Sequence, residues 1–431
     1  MSDKVVVVTG AGFSYPAQLP IQSGIINEMI KKPEVGFMGD WDLETFKFYR
    51  AYIEVGIFLI ENYTKRASNA YRQKMSHILT NNAEMKIERD FIAKISRNRK
   101  IAQEIEKTEH IRSLFSKKIN IEEVVIQNEF IKKLASLKEE IRLALEEEKI
   151  FVDLEDLFTK LDKCVQTQSG WKKYSFIQVI QIKQYILQLF IYYFGKKNSR
   201  FVVNDDYRSF AEFITQNNVS VVTTNWDTLC EQIFDSQKIK YDLCLSCDSY
   251  YRIKRTKSVR QIAKIHGSIS WFSCSNCGSL NIKKKGTESH FLLSDKKHEC
   301  KQCDIKQQDD FLFTPEIITP TMVKMFSKQL YDNIWQNAEY MLKDAQEIIF
   351  VGYSMPLADF EFRCMLTKYI LPSVKISVVL HERDKKEPDE RREVPEDRYR
   401  CAFPKNDMNF FYTGFTSYFN ERNSTKNQSD N

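Results

Sequence analysis

A short β-branched run, Lys4 to Val8, breaks at Thr9-Gly10-Ala11-Gly12-Phe13-Ser14, and the same device returns three more times along the chain. Val219 to Val222 ends in Thr223-Thr224-Asn225-Trp226-Asp227, Ile262 to Ile265 in His266-Gly267-Ser268, and Ile348 to Val351 in Gly352-Tyr353-Ser354. A further apolar run, Val374 to Leu380, follows. Short, uniformly apolar strands suit the middle of a parallel sheet covered on both faces. Ligands of open α/β sheets bind beyond the carboxyl ends of the strands, so these polar and glycine-bearing ends are expected to converge on one crevice. The predicted fold class is α/β, with a Rossmann-type parallel sheet.

Residues 41–205 have a different character, rich in Lys, Glu, Ile, Leu and Phe and almost without Gly or Pro. Between Ile121 and Leu145 the apolar residues Val124, Ile131, Leu134, Leu137, Ile141 and Leu145 fall largely three or four apart, which is helical spacing. Asp153 to Phe158 and Phe176 to Tyr193 read as further helices. We expect a large helical domain at 41–205, inserted into a sheet domain formed by 1–40 and 206–400. The polar stretch 416–431 is expected to be a frayed tail. With 431 residues the chain has room for two or three such units.

Eight of the ten cysteines lie between Cys230 and Cys364, and four of them form the pairs Cys274-x-x-Cys277 and Cys300-x-x-Cys303. Two residues between cysteines let both thiolates reach one ion from a tight turn, and two such turns complete a tetrahedral zinc site. A closed set of four thiolates leaves no open coordination position, so the expected role is structural, in a small module at 270–306. Gly278 follows the second cysteine, where such a turn needs left-handed backbone. Cys244-x-x-Cys247 has no complementary pair; His290 and His298 are weaker candidates for substitute ligands.

An apolar fraction of 42% excludes a disordered chain, and no apolar run approaches the ~18 residues that span a bilayer. The opening residues show no signal-peptide pattern, so the expected location is the cytoplasm. A net charge of +6 spread over 64 basic and 58 acidic residues does not by itself call for a nucleic-acid surface. Any such contact is expected only through a partner.

Taken together, the strand ends resemble those of sirtuins. Gly10-Ala11-Gly12-Phe13-Ser14 resembles their Gly-Ala-Gly-x-Ser loop, Thr223 to Asp227 their Thr-Gln-Asn-Ile-Asp, Ile265-His266-Gly267 their Leu-His-Gly, and Gly352-Tyr353-Ser354 their Gly-Thr-Ser turn. The four cysteines follow the histidine in the family's order. Trp271, Pro320-Thr321, Trp335 and Ile349 to Phe362 are more similar to bacterial sirtuin-like proteins of phage defence, which hydrolyse NAD, several of them with a HerA-like ATPase partner. The deacylase segment Asp-Phe-Arg is replaced after the glycine loop by Tyr15-Pro16-Ala17-Gln18, Thr224 stands where the family has Gln, and Phe313-Thr314-Pro315-Glu316 replaces the peptide-pairing Phe-Gly-Glu.

The resemblance implies an NAD glycohydrolase that depletes NAD in antiphage defence, acting as a homo-oligomer or with an ATPase partner. A protein deacylase, an ADP-ribosyltransferase and a non-catalytic NAD or ADP-ribose sensor are the alternatives. It also implies the site. Gly10, Ala11, Gly12, Ser14, Thr224, Gly352 and Ser354 would hold NAD, and Asn225 would orient water at the nicotinamide ribose. Asp227 would bind the carboxamide, and His266 would act as general base, since imidazole titrates near neutrality. Asp359 either assists or caps a helix.

Overall fold

The computed structural model describes residues 4–17, 19, 26, 29, 43–65, 69–80, 121–148, 152–200, 204–246, 259–274, 276–283, 300, 302–303, 313–319, 321, 329–385 and 393–429. Its strands are β1 (Lys4–Thr9), β2 (Asn218–Thr223), β3 (Tyr241–Asp242), β4 (Arg260–Lys264), β5 (Gly267–Cys274), β6 (Leu280–Ile282), β7 (Phe313–Ile317), β8 (Glu347–Val351), β9 (Lys375–Val379) and β10 (Met408–Phe411). Seven of them form one parallel sheet in the order β10-β9-β8-β1-β2-β4-β3. The α/β class is as expected, and β3 and β10 extend the sheet beyond the runs legible in sequence.

The alternation along β1 explains why it is central. Val6 and Val8 belong to one apolar cluster and Val5 and Val7 to another, and all four are 0–5% exposed. Burying each valine contributes about 1.5–3 kcal/mol, and covering both faces is what an all-parallel sheet requires. One face packs on α9 (Gln329–Lys343), α10 (Phe360–Tyr369) and α11 (Pro395–Ala402), through Ile334, Phe362 and Tyr399. The other packs on α7 (Asp205–Gln216), α8 (Leu229–Ser236) and α12 (Phe415–Ser429), through Phe210, Ile233 and Phe419. From β1 the chain builds outward to β2 and β4 on one side and to β8, β9 and β10 on the other. The β1/β8 boundary is therefore the topological switch point, where a crevice opens at the strand ends.

Helix α12 covers residues 416–429 of the stretch read from sequence as a tail. Phe415, Tyr418 and Phe419 are buried and spaced to share one helical face, and the Asn423 amide donates to the Ser209 carbonyl at 2.9 Å. Three well-placed aromatics anchor a helix whose remaining composition is polar.

Between β1 and β2 lie α2 (Leu43–Tyr63), α3 (Asn69–Thr80), α4 (Ile121–Glu147), α5 (Leu154–Gln166) and α6 (Phe176–Arg200). Their shared core contains Ile53, Phe58, Leu134, Ile141, Phe158 and Phe190. Asp153 caps α5 by accepting from the Asp156 amide at 2.8 Å, with Glu155 and Asp156 favourably placed in the first turn. This helical core does not end at the insertion. It continues into Ile269, Phe272 and Cys274 of a second, antiparallel sheet ordered β6-β5-β7, and into Cys300 beside it. Among the described residues, no helix is long and apolar enough to cross a membrane.

Candidate active site and four-cysteine centre

At the switch point the chain turns from β1 into α1 (Ala11–Ser14), directly against the turn after β8. The Gly10 amide donates to the Val351 carbonyl at 3.0 Å and the Gly12 amide to the Gly352 carbonyl at 2.9 Å. A Cβ on Gly10 or Gly12 would lie 2.7 Å from the backbone of 352–353, closer than van der Waals contact allows. The glycines are thus needed for backbone-to-backbone packing between β1 and β8, and these two amides are already engaged there.

A hydrogen-bonded chain joins this loop to the end of β2. The Asn225 Nδ2 donates to the Gly10 carbonyl and to Ser14 Oγ, each at 2.8 Å, and Ser14 Oγ donates to Asp227 Oδ2 at 2.7 Å. Asp227 Oδ1 accepts from the Leu229 amide at 2.9 Å, which ties the carboxylate to the start of α8. The Thr224 amide donates to the Thr9 carbonyl at 3.1 Å. With both Nδ2 hydrogens committed, the group Asn225 offers to a ligand is its Oδ1, an acceptor.

Below this loop sits a buried ion pair. Lys264 on β4 lies 3.1 Å from Glu231 of α8 and also donates to the Asp227 carbonyl; the lysine side chain is 1% exposed. Burial pushes the Glu231 carboxyl above the ordinary carboxylate range, and the neighbouring Lys264 opposes that shift. The ammonium thus pins the backbone that carries Asn225 and Asp227.

His266 occupies the turn between β4 and β5, and it is buried. Its Nε2 lies 3.6 Å from Asp359 Oδ1, and Tyr353 Oη donates to Asp359 Oδ2 at 3.2 Å. Burial raises the Tyr353 phenol well above its usual value, which keeps it a hydrogen-bond donor at neutral pH. Gly267 takes φ +77°, and a Cβ there would lie 2.1 Å from the Glu316 carbonyl. Only glycine lets the chain reverse directly after the histidine. Ser354, on the far side of the Gly352 turn, has its carbonyl held by Arg398 at 3.2 Å.

The structure thus brings Gly10, Gly12, Ser14, Thr224, Asn225, Asp227 and Gly352 into one bonded group, with Ala11 in its loop and His266 beside Asp359. Asp359 is the partner that sequence reasoning left undecided, and Lys264 the one it passed over. A charge inside the apolar run Ile262 to Ile265 was the available signal, because a buried strand admits one only when it is paired.

The four cysteine sulphurs of Cys274, Cys277, Cys300 and Cys303 lie within 4.8 Å of one another. Cys277 and Cys300 are 3.4 Å apart, Cys274 and Cys303 3.9 Å. Zinc–sulphur bonds of about 2.3 Å in a tetrahedron place sulphurs about 3.8 Å apart, so the set fits such an ion. The Ser279 hydroxyl, 3.1 Å from both Cys277 and Cys300, favours their thiolates and brings Cys300 down to about 6. Gly278 has φ +71°, the left-handed backbone expected after the second cysteine. Cys244 is buried against Gln261, while Cys247, His290 and His298 lie outside the described residues.

Residues 219–398 match the family model of the SIR2-like domain. No curated protein matches the chain. Among solved structures, a Sir2 homologue–NAD complex is similar at 15% identity over 56% of this chain and 72% of that one, with a TM-score of 0.33. A serine-to-alanine mutant of a Sir2 homologue with ADP ribose gives 15%, 58%, 77% and 0.34. A structure described by the structural basis of sirtuin substrate affinity gives 11% identity over 97% of this chain and 93% of that one, at 0.34.

Proposed function

We propose that this is a sirtuin-like enzyme that hydrolyses NAD to nicotinamide and ADP-ribose. The observation that carries the reading is the bonded group Ser14–Asn225–Asp227 at the switch point of a chain whose residues 219–398 match the SIR2-like domain. Gly10, Ala11, Gly12, Ser14, Thr224, Gly352 and Ser354 would line the NAD side, at the edge where parallel sheets take their ligands.

In the reaction the bond between ribose C1′ and the nicotinamide nitrogen breaks, nicotinamide leaves neutral, and the electron deficit at C1′ gives an oxocarbenium-like state. Water then forms the new C1′–O bond and gives up a proton. Asn225 Oδ1 accepts a hydrogen bond from that water and orients it. His266 takes the proton, and Asp359 holds the imidazole and stabilises the resulting charge, as a carboxylate does beside a catalytic histidine. Asp227 fixes Ser14 and the start of α8 and would face the nicotinamide carboxamide. Zinc at the four cysteines would hold the second sheet together and supply no step.

The wider proposal is an antiphage effector of the cytoplasm that works as a homo-oligomer or with a HerA-like ATPase partner. It rests on the motif resemblance.

The test is NAD loss by purified wild type and His266→Ala without any peptide, with nicotinamide and ADP-ribose quantified. General-base catalysis contributes about 10²–10⁴-fold, so the variant should lose at least ~100-fold. Turnover only with an acyl-lysine peptide would replace hydrolysis by deacylation. Saturable NAD binding without turnover, ATPase partner included, would make the chain a sensor.

A further inference from the structure

Trp226 stands between Asn225 and Asp227, yet its ring belongs to the helical layer. It lies 6.2 Å from Phe190 and 6.3 Å from Phe194, both on α6, and packs against the core of the inserted helices. Its polar atoms go elsewhere. The indole Nε1 donates to the Ile318 carbonyl at 3.2 Å, and the Ile318 amide donates to the His266 carbonyl at 2.9 Å. The Trp226 carbonyl accepts from the Ile269 amide at 2.9 Å and from Ser268 Oγ at 3.2 Å. Trp226 is therefore bonded on two sides to the segments that flank the histidine.

The next residue along reinforces the arrangement. Thr319 Oγ1 donates to Asp162 Oδ2 of α5 at 3.0 Å, and Asp162 pairs with Lys183 of α6. Helix α5, braced by α6, thus holds the 318–319 segment, and α6 holds Trp226 by aromatic packing. Apolar packing alone would be met by any large side chain. An indole whose N–H meets a backbone carbonyl also fixes orientation, and leaving that carbonyl unmet has a cost.

We infer that Trp226 is a positioning residue through which the helical layer sets the spacing between the Asn225 turn and the His266 turn. For its effect on rate the inference rests on the NAD-hydrolase reading; for its effect on structure it does not. Displacements near 1 Å in a catalytic pair cost up to about 100-fold in rate, so small shifts of α6 would be read out as activity.

The experiment compares wild type, Trp226→Phe, Trp226→Ala and the double variant Phe190→Ala/Phe194→Ala by hydrogen exchange and kinetics. In the α6 double variant, peptides covering 265–271 and 314–320 should exchange about tenfold faster, while 4–9 in the sheet centre stays as in wild type. Unchanged exchange at 265–271 and 314–320 would overturn the inference. So would an equal rise at 4–9, which reports global loosening. In NAD turnover, Trp226→Phe should lower kcat about tenfold with KM within about twofold, and Trp226→Ala should lower it further. An unchanged kcat in Trp226→Ala with wild type active would also overturn it. If wild type does not hydrolyse NAD even with the ATPase partner included, the hydrolase reading falls and the exchange comparison alone decides the inference.

Discussion

Gly352 holds φ +60°, and a Cβ there would sit 2.4 Å from the Gly12 carbonyl carbon and the Phe13 amide. Both obstacles are backbone, so neither can swing aside. Left-handed backbone costs alanine about 1–2 kcal/mol and overpacking about 1–3 kcal/mol more. Gly352→Ala should therefore lose about 2–5 kcal/mol in urea unfolding. Gly414→Ala, with φ +82° and nothing within 4 Å of the added carbon, should lose only the first part. Equal losses would refute the close approach of the two turns. The glycines were legible in sequence as a ligand loop, but their demand for each other was not, because Gly12 and Gly352 meet only through the pairing of β1 with β8. Asn225, His266 and Ser14 were legible at strand ends. The contact that gives His266 a carboxylate neighbour was not, since Asp359 reads equally well as a helix cap and only the fold brings it within 3.6 Å.

A zinc ion at the four cysteines would tie the stability of the second sheet to its own binding. Cys274 and Cys300 are buried in the helical core, whereas Cys277 is exposed, so removing Cys277 leaves the core side chains in place. Cys277→Ser should reduce bound zinc from about one ion per chain to near zero by elemental analysis. Faster proteolysis within β5 and β6 should follow. Zinc content unchanged in the variant would exclude this ligand set. The pair spacing made the module legible at the level of residue type. The packing of β5 against α6 was not, because Ile269 and Phe272 look like ordinary strand residues. Helix α12 was illegible for the opposite reason, its three aromatics being outnumbered by polar neighbours.

At the scale of the whole molecule, the strand runs predicted a parallel sheet and the helical spacing predicted a helical domain inserted into it. The interior of these helices is shared with the sheets around them. The helical core reaches β5 through Ile269 and Phe272 and reaches the β2 turn through Trp226. Periodicity reports which face of an element is apolar, not which partner covers it.

The place of β1 in the sheet also has a consequence for synthesis. Lys4 pairs with Asn218, and Val5 with Glu347. At ~5–20 residues per second a ribosome needs about 10–40 s to supply the first partner strand and longer for the second. Throughout that interval the Val5–Val8 run has no sheet to join, while the local contacts of the intervening helices can already close. Chains arrested near residue 205 should therefore show protease protection over 121–200 and cleavage at Lys4. Protection of both would mean that the run finds shelter before its neighbours exist. A valine-rich, chargeless strand left waiting is a sticky one, so the length of the insertion sets how long the newborn chain depends on being kept from its neighbours on the polysome.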